Sequence, residues 1–550
     1  MKGKGIKNIV LVLLFVIMAV NALLDIQAAM RGNQESDVWN YLNANLESKT
    51  INGVEFVLSD DSFVVSGTNT SDKNTTYTFA NREADDLYLD PGTYRISGCP
   101  EGGGDSSYRI WLGSESNAVV CFDTGDGVTF DVKTRERFGV SVDIAPGVTV
   151  NNLAITPTIT KIESAYPING YPWYRIVWIV SLIFILAIIQ LDALFSDRKE
   201  PLNTESSVTG QKSIYISAMN VVAALGVVFL HTNGAFWSNP RPVGRLWLTT
   251  NFIETFCYWP VPVFYMITGA TLMEYRKRYD TSVFLKKRIE KTFIPYIAWS
   301  LFACAFNVLY QEQTMDWNIL HIIQNIFNSK YMGIYWFFPP LFAIYLSIPV
   351  LSAIEGKIQV FRYAILSGVV TISVLPLVCN LLGISYNGAL QVPVAAGSLF
   401  FAMAGYYINK TEINRRNRII IYICGFIGWL MQYLGTMMVS ANETTVIKTF
   451  KGYSNLPSFL QAVAVFVFFK YLFKDKKLGA KTEKAIYWAA SLTFGIYLVH
   501  RYLLIVLIKE FSIDNRMLVW RTCGAVAVFI ASGIIIALLK KIPAIRRLVP

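Results

Sequence analysis

Charged residues and histidines are scarce in this chain. Only 16% of its 550 residues are Asp, Glu, Lys or Arg and only three are His, whereas 53% are hydrophobic and 14% are aromatic. Soluble domains carry about 25% charged residues, so this composition excludes a protein that is soluble along its whole length. It predicts an integral membrane protein in contact with a lipid bilayer, with tryptophans and tyrosines at the two interfaces.

Common motifs of soluble enzymes are also missing from the sequence. There is no phosphate-binding Gly-x4-Gly-Lys-Ser/Thr, no Gly-x-Ser-x-Gly turn and no His-Glu-x-x-His. Because the three histidines fall in separate segments, we expect no metal site and no bound cofactor. Any chemistry must therefore use polar residues within the apolar segments and at their ends.

Twelve stretches are long and apolar enough to cross a bilayer, which takes about 18 to 25 residues. They are 6–24, 174–195, 213–234, 248–273, 292–311, 332–352, 363–382, 389–408, 419–438, 457–473, 486–508 and 518–539. The predicted fold is an all-α polytopic membrane helix bundle, with ten of the twelve spans after residue 212, joined to an exported all-β domain.

Lysine and arginine predict the orientation of the bundle. With the N-terminus inside, the seven cytoplasmic segments hold 29 of the 49 Lys and Arg residues, whereas the five short outer loops hold seven. Positive residues concentrate on the cytoplasmic side of membrane proteins, so we place both termini in the cytoplasm and the chain in the plasma membrane. The net charge of +11 then reflects topology and anionic lipid headgroups, and we expect no nucleic acid partner.

The domain boundaries follow from these spans. We divide the chain into an N-terminal anchor (1–26), an exported domain (27–172), one span (173–196), a cytoplasmic linker (197–212) and a ten-span membrane domain (213–550). The first span resembles a signal peptide that ends at Ala28-Ala29, but its apolar run exceeds the usual core of about 7 to 15 residues. A retained anchor is therefore favoured.

The exported domain has a β pattern. Its Asp and Glu residues outnumber Lys and Arg two to one, and short alternating runs are separated by Gly, Pro, Asn and Asp. We predict a sandwich or jelly roll, preceded at 31–50 by a short helix or linker. The predicted strands are 54–58, 63–65, 76–79, 93–97, 108–112, 118–122, 128–132, 139–144 and 148–150.

Two features of the exported domain stay open at this point. The phrase Leu89-Asp-Pro-Gly-Thr-Tyr-Arg-Ile-Ser-Gly resembles β-sandwiches appended to carbohydrate-active and phage-tail proteins. Three aromatic residues, Trp111, Tyr88 and Tyr108, either stack on sugars or, as we favour, fill the core. Cys99 and Cys121 are both exported and either pair in a disulfide or stay free.

Two histidines lie inside apolar stretches, His231 near the end of one and His500 in the middle of another. Ionisable residues within membrane segments are costly and mark functional sites. With about 1.5 Å of rise per residue, His231 lies in the outer half of its helix. The third, His321, belongs to an exported amphipathic stretch and is expected at the membrane interface.

The region 213–540 resembles the membrane acyltransferase-3 family in four stretches. They are Asn220-Val-Val-Ala-Ala-Leu-Gly-Val-Val-Phe-Leu-His231; Pro260-Val-Pro-Val-Phe-Tyr-Met-Ile-Thr-Gly269 followed by Phe284-Leu-Lys-Lys-Arg288-Ile-Glu-Lys291; Tyr335-Trp-Phe-Phe-Pro-Pro-Leu-Phe-Ala-Ile-Tyr345; and Ser491-Leu-Thr-Phe-Gly-Ile-Tyr-Leu-Val-His500. Their order and spacing carry the resemblance. It implies transfer of an acyl group, commonly acetyl, from cytoplasmic acyl-CoA to a hydroxyl of an extracytoplasmic or lipid-linked glycan.

The resemblance assigns roles to three positions and departs from the family at two. His231 is implied as general base or as the carrier of a covalent acyl group, and Arg288 and Lys291 are implied to bind the phosphates of CoA. The family commonly has arginine where this chain has Asn220, and its Arg-x-x-Arg motif has Lys291 as its second basic residue. These departures leave open whether donor binding or activity is altered.

Further residues are expected to support the site. Glu254 is placed at a depth similar to His231, either orienting the imidazole ring, holding a sugar hydroxyl or snorkelling to water. Thr232 and Asn233 are expected to bind the acceptor, and His500 and Arg501 to support it. Pro339 and Pro340 are expected to break a helix where the backbone lines a cavity.

Two other functions remain compatible with the sequence. Ten helices with interior polar residues also suit a carrier or exporter of a small molecule or acylated intermediate. Alternatively, the exported domain is a surface glycan-binding module and the membrane region is a degenerate anchor. A glycan O-acyltransferase is the favoured function.

Overall fold

The computed structural model describes residues 2–31, 46–59, 62–89, 92–162, 171–195, 213–238, 244–314, 316–440, 446–474, 476 and 478–550. The chain divides into two compact units, Met1–Leu182 and Ile183–Pro550. The predicted linker 197–212 and most of the helix or linker predicted at 31–50 lie outside the described residues.

Within its described residues, the first unit contains one long helix, twelve strands and the beginning of a second helix. Helix α1 is Lys2–Arg31; the strands are β1 Lys49–Ile51, β2 Val54–Leu58, β3 Phe63–Thr68, β4 Thr75–Ala80, β5 Tyr88–Leu89, β6 Gly92–Ser97, β7 Tyr108–Ser114, β8 Cys121–Asp123, β9 Val128–Val132, β10 Glu136–Ile144, β11 Thr149–Ile155 and β12 Thr158–Ile162. All strand pairs are antiparallel, in the orders β1-β2-β3-β11, β4-β10-β7-β8 with β5 beside β10, and β12-β6-β9. The prediction of an all-β, sandwich-like domain is confirmed.

Period-two alternation builds the core of this domain. Inward residues such as Phe56 and Phe63 are fully buried, and their rings contact Tyr77 at 5.1 and 4.6 Å. The β1–β2 hairpin turns through Asn52 and Gly53, both at positive φ, as a two-residue Asn-Gly hairpin requires. Strands β1, β5 and β12 were not predicted; β1 and β5, with three and two residues, are too short to show an alternating pattern.

The three aromatic candidates of the β domain divide into two groups. Tyr108 packs against the core, as the favoured interpretation predicted. Trp111 alternates with the buried Ile110 and Leu112, so its ring lies on the opposite face of the sheet, and Tyr88 is 41% exposed. The core-filling interpretation is therefore wrong for Trp111 and Tyr88.

Both cysteines of the β domain are free thiols in this structure. Cys99 is buried and Cys121 is half-buried. Burial, reinforced by the nearby Asp123 carboxylate, raises the pKa of Cys99 to about 12 and that of Cys121 to about 11. Asp123 itself accepts hydrogen bonds from the backbone N–H groups of Cys99, Gly125 and Gly127, which fixes the turn after β8.

The helix before the membrane domain, α2 Trp173–Phe195, begins beside the end of α1. Arg175 forms an ion pair with Asp25 at 2.9 Å, and Trp178 donates a hydrogen bond to the same carboxylate. A charged pair at these helix ends is well placed at a bilayer interface. Whether the first span is cleaved stays a prediction.

The second unit is helical. Its α-helices are α3 Ile214–Thr232, α4 Ala235–Ser238, α5 Gly244–Phe256, α6 Pro260–Leu272, α7 Thr281–Arg288, α8 Ile294–Leu309, α9 Ile319–Phe327, α10 Phe338–Leu351, α11 Ile358–Gly368, α12 Leu375–Leu381, α13 Leu399–Lys410, α14 Arg415–Ser440, α15 Leu456–Phe473, α16 Ala480–Glu510, α17 Ala525–Leu539 and α18 Pro543–Arg546. Short π-helices at Ile289–Phe293, Val369–Val374 and Trp520–Gly524 join α7 to α8, α11 to α12, and lead into α17. Helix α3 lies among α6, α15, α16 and α17.

Eleven helical segments of the described chain are long and apolar enough to cross a membrane, nine of them after residue 212. The prediction of a multi-span helical bundle is confirmed, but one of the twelve predicted spans, 389–408, is not a continuous helix. Gly388 and Pro393 lie in 3-10 turns and Gly397 has φ of +60°, so regular helix starts only at Leu399.

Helix α13 nevertheless packs tightly into the bundle. A Cβ atom at Gly405 would lie 2.0 Å from the carbonyl oxygen of Met266, and one at Gly269 would lie 1.8 Å from that of Ala402. Glycine at these two positions therefore lets the backbones of α13 and α6 touch, as small residues do in membrane bundles. The predicted span is therefore an irregular segment followed by a short, largely buried helix.

One end of the bundle is defined by contacts between three helix ends. Asn409 accepts a hydrogen bond from Tyr215 at 2.5 Å and donates one to the carbonyl of Ala270 at 3.2 Å, and Lys410 pairs with Glu274 at 2.6 Å. We call this the basic end, because residues 275–291 lie next to it and hold seven Lys and Arg residues. The opposite end, where α3 finishes at Thr232, is the histidine end.

Candidate active site

His231 occupies the last turn of α3, at the end of a stretch of almost purely apolar residues. Its Nδ1 lies 2.7 Å from Nε2 of His500, and the two rings stack with centroids 4.9 Å apart. His500 is completely buried in the middle of α16. The two histidines that stand inside apolar segments of the sequence are therefore one hydrogen-bonded pair, although 269 residues separate them.

The surroundings of His500 decide which nitrogens carry protons. Nδ1 of His500 lies 2.9 Å from the carbonyl oxygen of Ile496, and a carbonyl only accepts, so this Nδ1 carries a proton. In a neutral ring its Nε2 then accepts, and His231 donates through Nδ1. Nε2 of His231 is left with a free lone pair.

The imidazole of His231 lines a cavity of about 200 Å³. It is lined by His231 and Trp336 toward the histidine end and by Asn220, Thr292 and Tyr345 toward the basic end. Asn220 and His231 are eleven residues apart on one helix, which separates them by about 16 Å at 1.5 Å per residue. Most of the wall between them is apolar, so the cavity admits a long, narrow and largely uncharged chain.

The basic-end mouth of the cavity carries the predicted donor-binding residues. The guanidinium of Arg288 lies 5.5 Å from the ring of Tyr345, a cavity residue, and its Nε is buried without a hydrogen-bond partner among the described residues. Lys291 is exposed and directly precedes Thr292 in the π-helix. Both cations are placed to meet an anion outside the mouth, and π-turns of this kind are frequent at functional sites.

Asn220, the position where the family commonly has arginine, lines the same cavity. Its Nδ2 donates to Oγ1 of Thr493 at 3.0 Å, and Thr493 is also a cavity residue. The cavity wall here is therefore polar but uncharged.

Thr232 and Asn233 are engaged by the protein itself. The hydroxyl of Thr232 donates within its own helix, to the carbonyls of Val228 or Phe229. Asn233 is fully buried, ends α3 and donates to the carbonyl of Thr250 at 2.8 Å. Neither lines the cavity, and their role in binding an acceptor stays a prediction.

Glu254 is buried near the histidine end but does not contact the imidazole of His231. Its carboxylate accepts from Nδ2 of Asn233 at 3.4 Å, and the ring of His231 is held by His500. The alternative that Glu254 snorkels to water is wrong, because the side chain is only 3% exposed. Its charged neighbour is Lys451, whose own pKa is lowered to about 8 by burial.

Arg501 follows His500 and lies one turn beyond the cavity residue Tyr497 on α16. It is half-buried, and no hydrogen bond or ion pair ties it to the described part of the chain. His321, the interfacial candidate, is exposed and pairs with Asp316. Exposed apolar residues surround it on α9, with Ile319 at 71% and Phe327 at 68%, as expected of a helix lying at the interface.

The backbone break predicted at Pro339 and Pro340 lies slightly earlier. The two prolines occupy the first turn of α10, where proline is compatible with helix. The 3-10 turn Gly333–Phe337 just before them contributes Ile334, Trp336 and Phe337 to the cavity wall.

Sequence reasoning missed the buried cations of the histidine end. Lys451 is 5% exposed, and Arg521 is 2% exposed in the π-helix before α17, where it donates to Thr249. Their burial was not predicted, because no local sequence pattern marks a buried lysine or arginine. Within the described residues no cluster of three or more His, Cys, Asp or Glu is suited to a metal ion.

The fold and the site together define an integral membrane protein whose helix bundle encloses a histidine pair at the end of a narrow internal cavity. A sequence model of the family described as "Acyltransferase domain" matches residues 213–538, which is more than half of the chain. The chain therefore belongs to this family of membrane acyltransferases, and the resemblance seen in the sequence is confirmed. The curated proteins include no match.

Proposed function

We propose that the chain transfers an acyl group, acetyl by preference, from acyl-CoA at the basic end to a hydroxyl of a cell-surface or lipid-linked glycan at the histidine end. In this proposal the basic end faces the cytoplasm of the cell and the β domain lies outside the plasma membrane. The observation that carries it is the hydrogen-bonded pair of His231 and His500 at a cavity that is also lined by Tyr345, whose ring lies 5.5 Å from the guanidinium of Arg288.

The donor has to deliver a thioester deep into the bundle while its phosphates stay in water. Arg288 and Lys291 bind those phosphates at the mouth, because guanidinium and ammonium groups recognise phosphate by charge-assisted hydrogen bonds. The apolar cavity accommodates the uncharged arm. Asn220 and Thr493 offer hydrogen bonds to amide groups along that arm.

The chemistry of the step balances around one nitrogen. Nε2 of His231 takes the proton of the acceptor hydroxyl while the hydroxyl oxygen attacks the thioester carbonyl; the C–S bond then breaks, and the thiolate receives that proton. His500 keeps the ring oriented, because it accepts from Nδ1 throughout. Transient attachment of the acyl group to Nε2 is the second route compatible with the same geometry, and it requires the same free lone pair.

Two variants test the proposal in cells. His231→Ala removes the base, whereas His321→Ala changes an exposed histidine outside the cavity and is the matched control. We expect mass spectrometry of surface glycans to show loss of acetyl esters with the first variant and none with the second. Unchanged esters in His231→Ala, together with lost uptake or export of a small molecule, would instead establish a transporter. If residues 27–172 alone restored the phenotype, the chain would act as a binding module.

A further inference from the structure

Three buried polar side chains meet at the histidine end, just beyond the cavity. They are Asn233 at the end of α3, Glu254 on α5 and Lys451 in the segment before α15, and none is more than 5% exposed. They come from three separate parts of the chain. Asn233, the member of this group at the end of α3, lies only two residues after His231, the proposed base.

The ammonium group of Lys451 has no hydrogen-bond acceptor within the described structure. Its Nζ is buried and unpaired, and no carboxylate of a described residue lies within 4.0 Å, the limit for an ion pair. The rings of Phe236 and Tyr258 lie 4.2 and 5.6 Å away, and they attract the charge without accepting its three N–H groups. A buried ammonium in this condition is costly, so the site calls for an oxygen-bearing ligand.

Charge selects the ligand that fits. Lys451 and Glu254 carry opposite charges, so an anionic or cationic guest would leave one uncompensated charge in the bundle. A neutral hydroxyl satisfies both partners, because its oxygen accepts from the ammonium and its proton goes to the carboxylate. Two neighbouring hydroxyls on one ring serve both groups.

Aromatic rings connect this group to the cavity. Tyr258 stacks on Tyr453 with ring centroids 4.2 Å apart, and Tyr453 stacks on Trp336 at 5.0 Å. Tyr453 and Trp336 both line the cavity that contains His231. The combination of stacked aromatic faces with a carboxylate and an ammonium matches the mixed apolar and hydroxyl surface of a sugar ring.

We propose that Lys451 and Glu254 form the acceptor subsite, which holds neighbouring hydroxyls of a neutral sugar while a further hydroxyl approaches Nε2 of His231. This inference rests on the acyl transfer proposed above. It adds that the sugar ring recognised at the histidine end is uncharged.

The test uses the full-length protein in lipid nanodiscs, with acetyl-CoA as donor and methyl β-D-glucopyranoside as the neutral acceptor probe. Methyl β-D-glucuronide is its anionic counterpart. Lys451→Met keeps an unbranched stem and removes the ammonium, and Glu254→Gln keeps the shape and removes the charge. Lys448→Met, an exposed lysine three residues earlier, is the matched control.

We expect Lys451→Met and Glu254→Gln to raise the KM for the glucoside at least tenfold and to leave the KM for acetyl-CoA unchanged. Lys448→Met should change neither constant. A KM for the glucoside within twofold of the unmodified protein in both variants would overturn the subsite, and so would a preference for the glucuronide. If Lys451→Met fails to fold, Lys451→Arg and Glu254→Gln carry the comparison.

A second readout separates the subsite from the enzymatic proposal. Without any donor, the glucoside should raise the Tm of the unmodified protein but not that of Lys451→Met. Stabilisation without any acyl transfer would mean that the proposed function is wrong and the sugar subsite is right. Transfer without this difference in Tm would mean the reverse.

Discussion

The hydrogen bond between the two buried histidines leads to a quantitative prediction about His500. In the proposed reaction His500 contacts neither the acyl donor nor the acceptor. It acts through His231 and is therefore a positioning residue. His500→Leu removes the acceptor of the His231 Nδ1–H at 2.7 Å. The imidazole of His231 is then free to rotate, or its proton can move from Nδ1 to Nε2. A proton on Nε2 occupies the lone pair that has to accept the proton of the acceptor hydroxyl.

The size of this effect follows from the loss of one buried hydrogen bond. Leaving a buried donor without its acceptor costs about 1 to 3 kcal/mol, and each 1.36 kcal/mol in the barrier is tenfold in rate. We therefore expect kcat to fall about 5- to 150-fold with the KM for acetyl-CoA unchanged, because the donor arm does not contact His500. His500→Gln, whose amide oxygen can accept the same hydrogen bond, should recover part of the loss.

The assay is release of free CoA thiol by purified protein in nanodiscs. A double variant completes it: if His500 acts only through His231, then His231→Ala with His500→Leu is no slower than His231→Ala alone. Equal kcat values in His500→Leu and the unmodified protein would refute the reasoning. A further loss in the double variant would show that His500 has a separate role.

Three more predictions concern packing, donor binding and the buried thiol of the β domain. Gly269→Val should lower the Tm by several degrees or prevent folding, because its Cβ would lie 1.8 Å from the carbonyl oxygen of Ala402. Overpacking of this kind costs about 1 to 3 kcal/mol or more. An unchanged Tm would contradict the close contact between α6 and α13. Arg288→Met should raise the KM for acetyl-CoA about tenfold, the loss of one charge-assisted contact, whereas the exposed Lys286→Met should not, and equal effects would assign donor binding to the general positive charge of the segment. Because burial raises the pKa of Cys99 to about 12, its thiol stays protonated until the pH approaches that value, and iodoacetamide at pH 8 should label it only after unfolding; labelling of the folded domain, detected by mass spectrometry, would contradict its burial.

The sequence was sufficient for the architecture, because the relevant signals are local. Long apolar runs predicted the membrane helices, and period-two alternation predicted most strands of the exported domain. The sequence-based prediction failed at 389–408. Hydropathy indicated a span there, but Gly388, Pro393 and Gly397 interrupt the helix. Hydropathy measures the environment of a segment and not its backbone conformation.

The site was predicted in part. The position of His231 in an apolar helix singled it out, but its bond to His500 joins residues 269 positions apart, and no local pattern reports such a contact. The same limit hid Lys451, which looks like an ordinary loop lysine in the sequence but is buried beside the rings of Phe236 and Tyr258. Thr232 is polar and close to His231, yet its hydroxyl bonds within its own helix.

The protonation state of His231 tests the central claim most directly. The chain has three histidines, so 15N-histidine NMR on the protein in nanodiscs, compared with a His321→Gln variant, resolves the buried pair. We predict that His231 is neutral at pH 7.5, with a proton on Nδ1 and a lone pair on Nε2. A proton on Nε2 of the resting His231 would contradict the account, because that nitrogen could not then act as base or nucleophile.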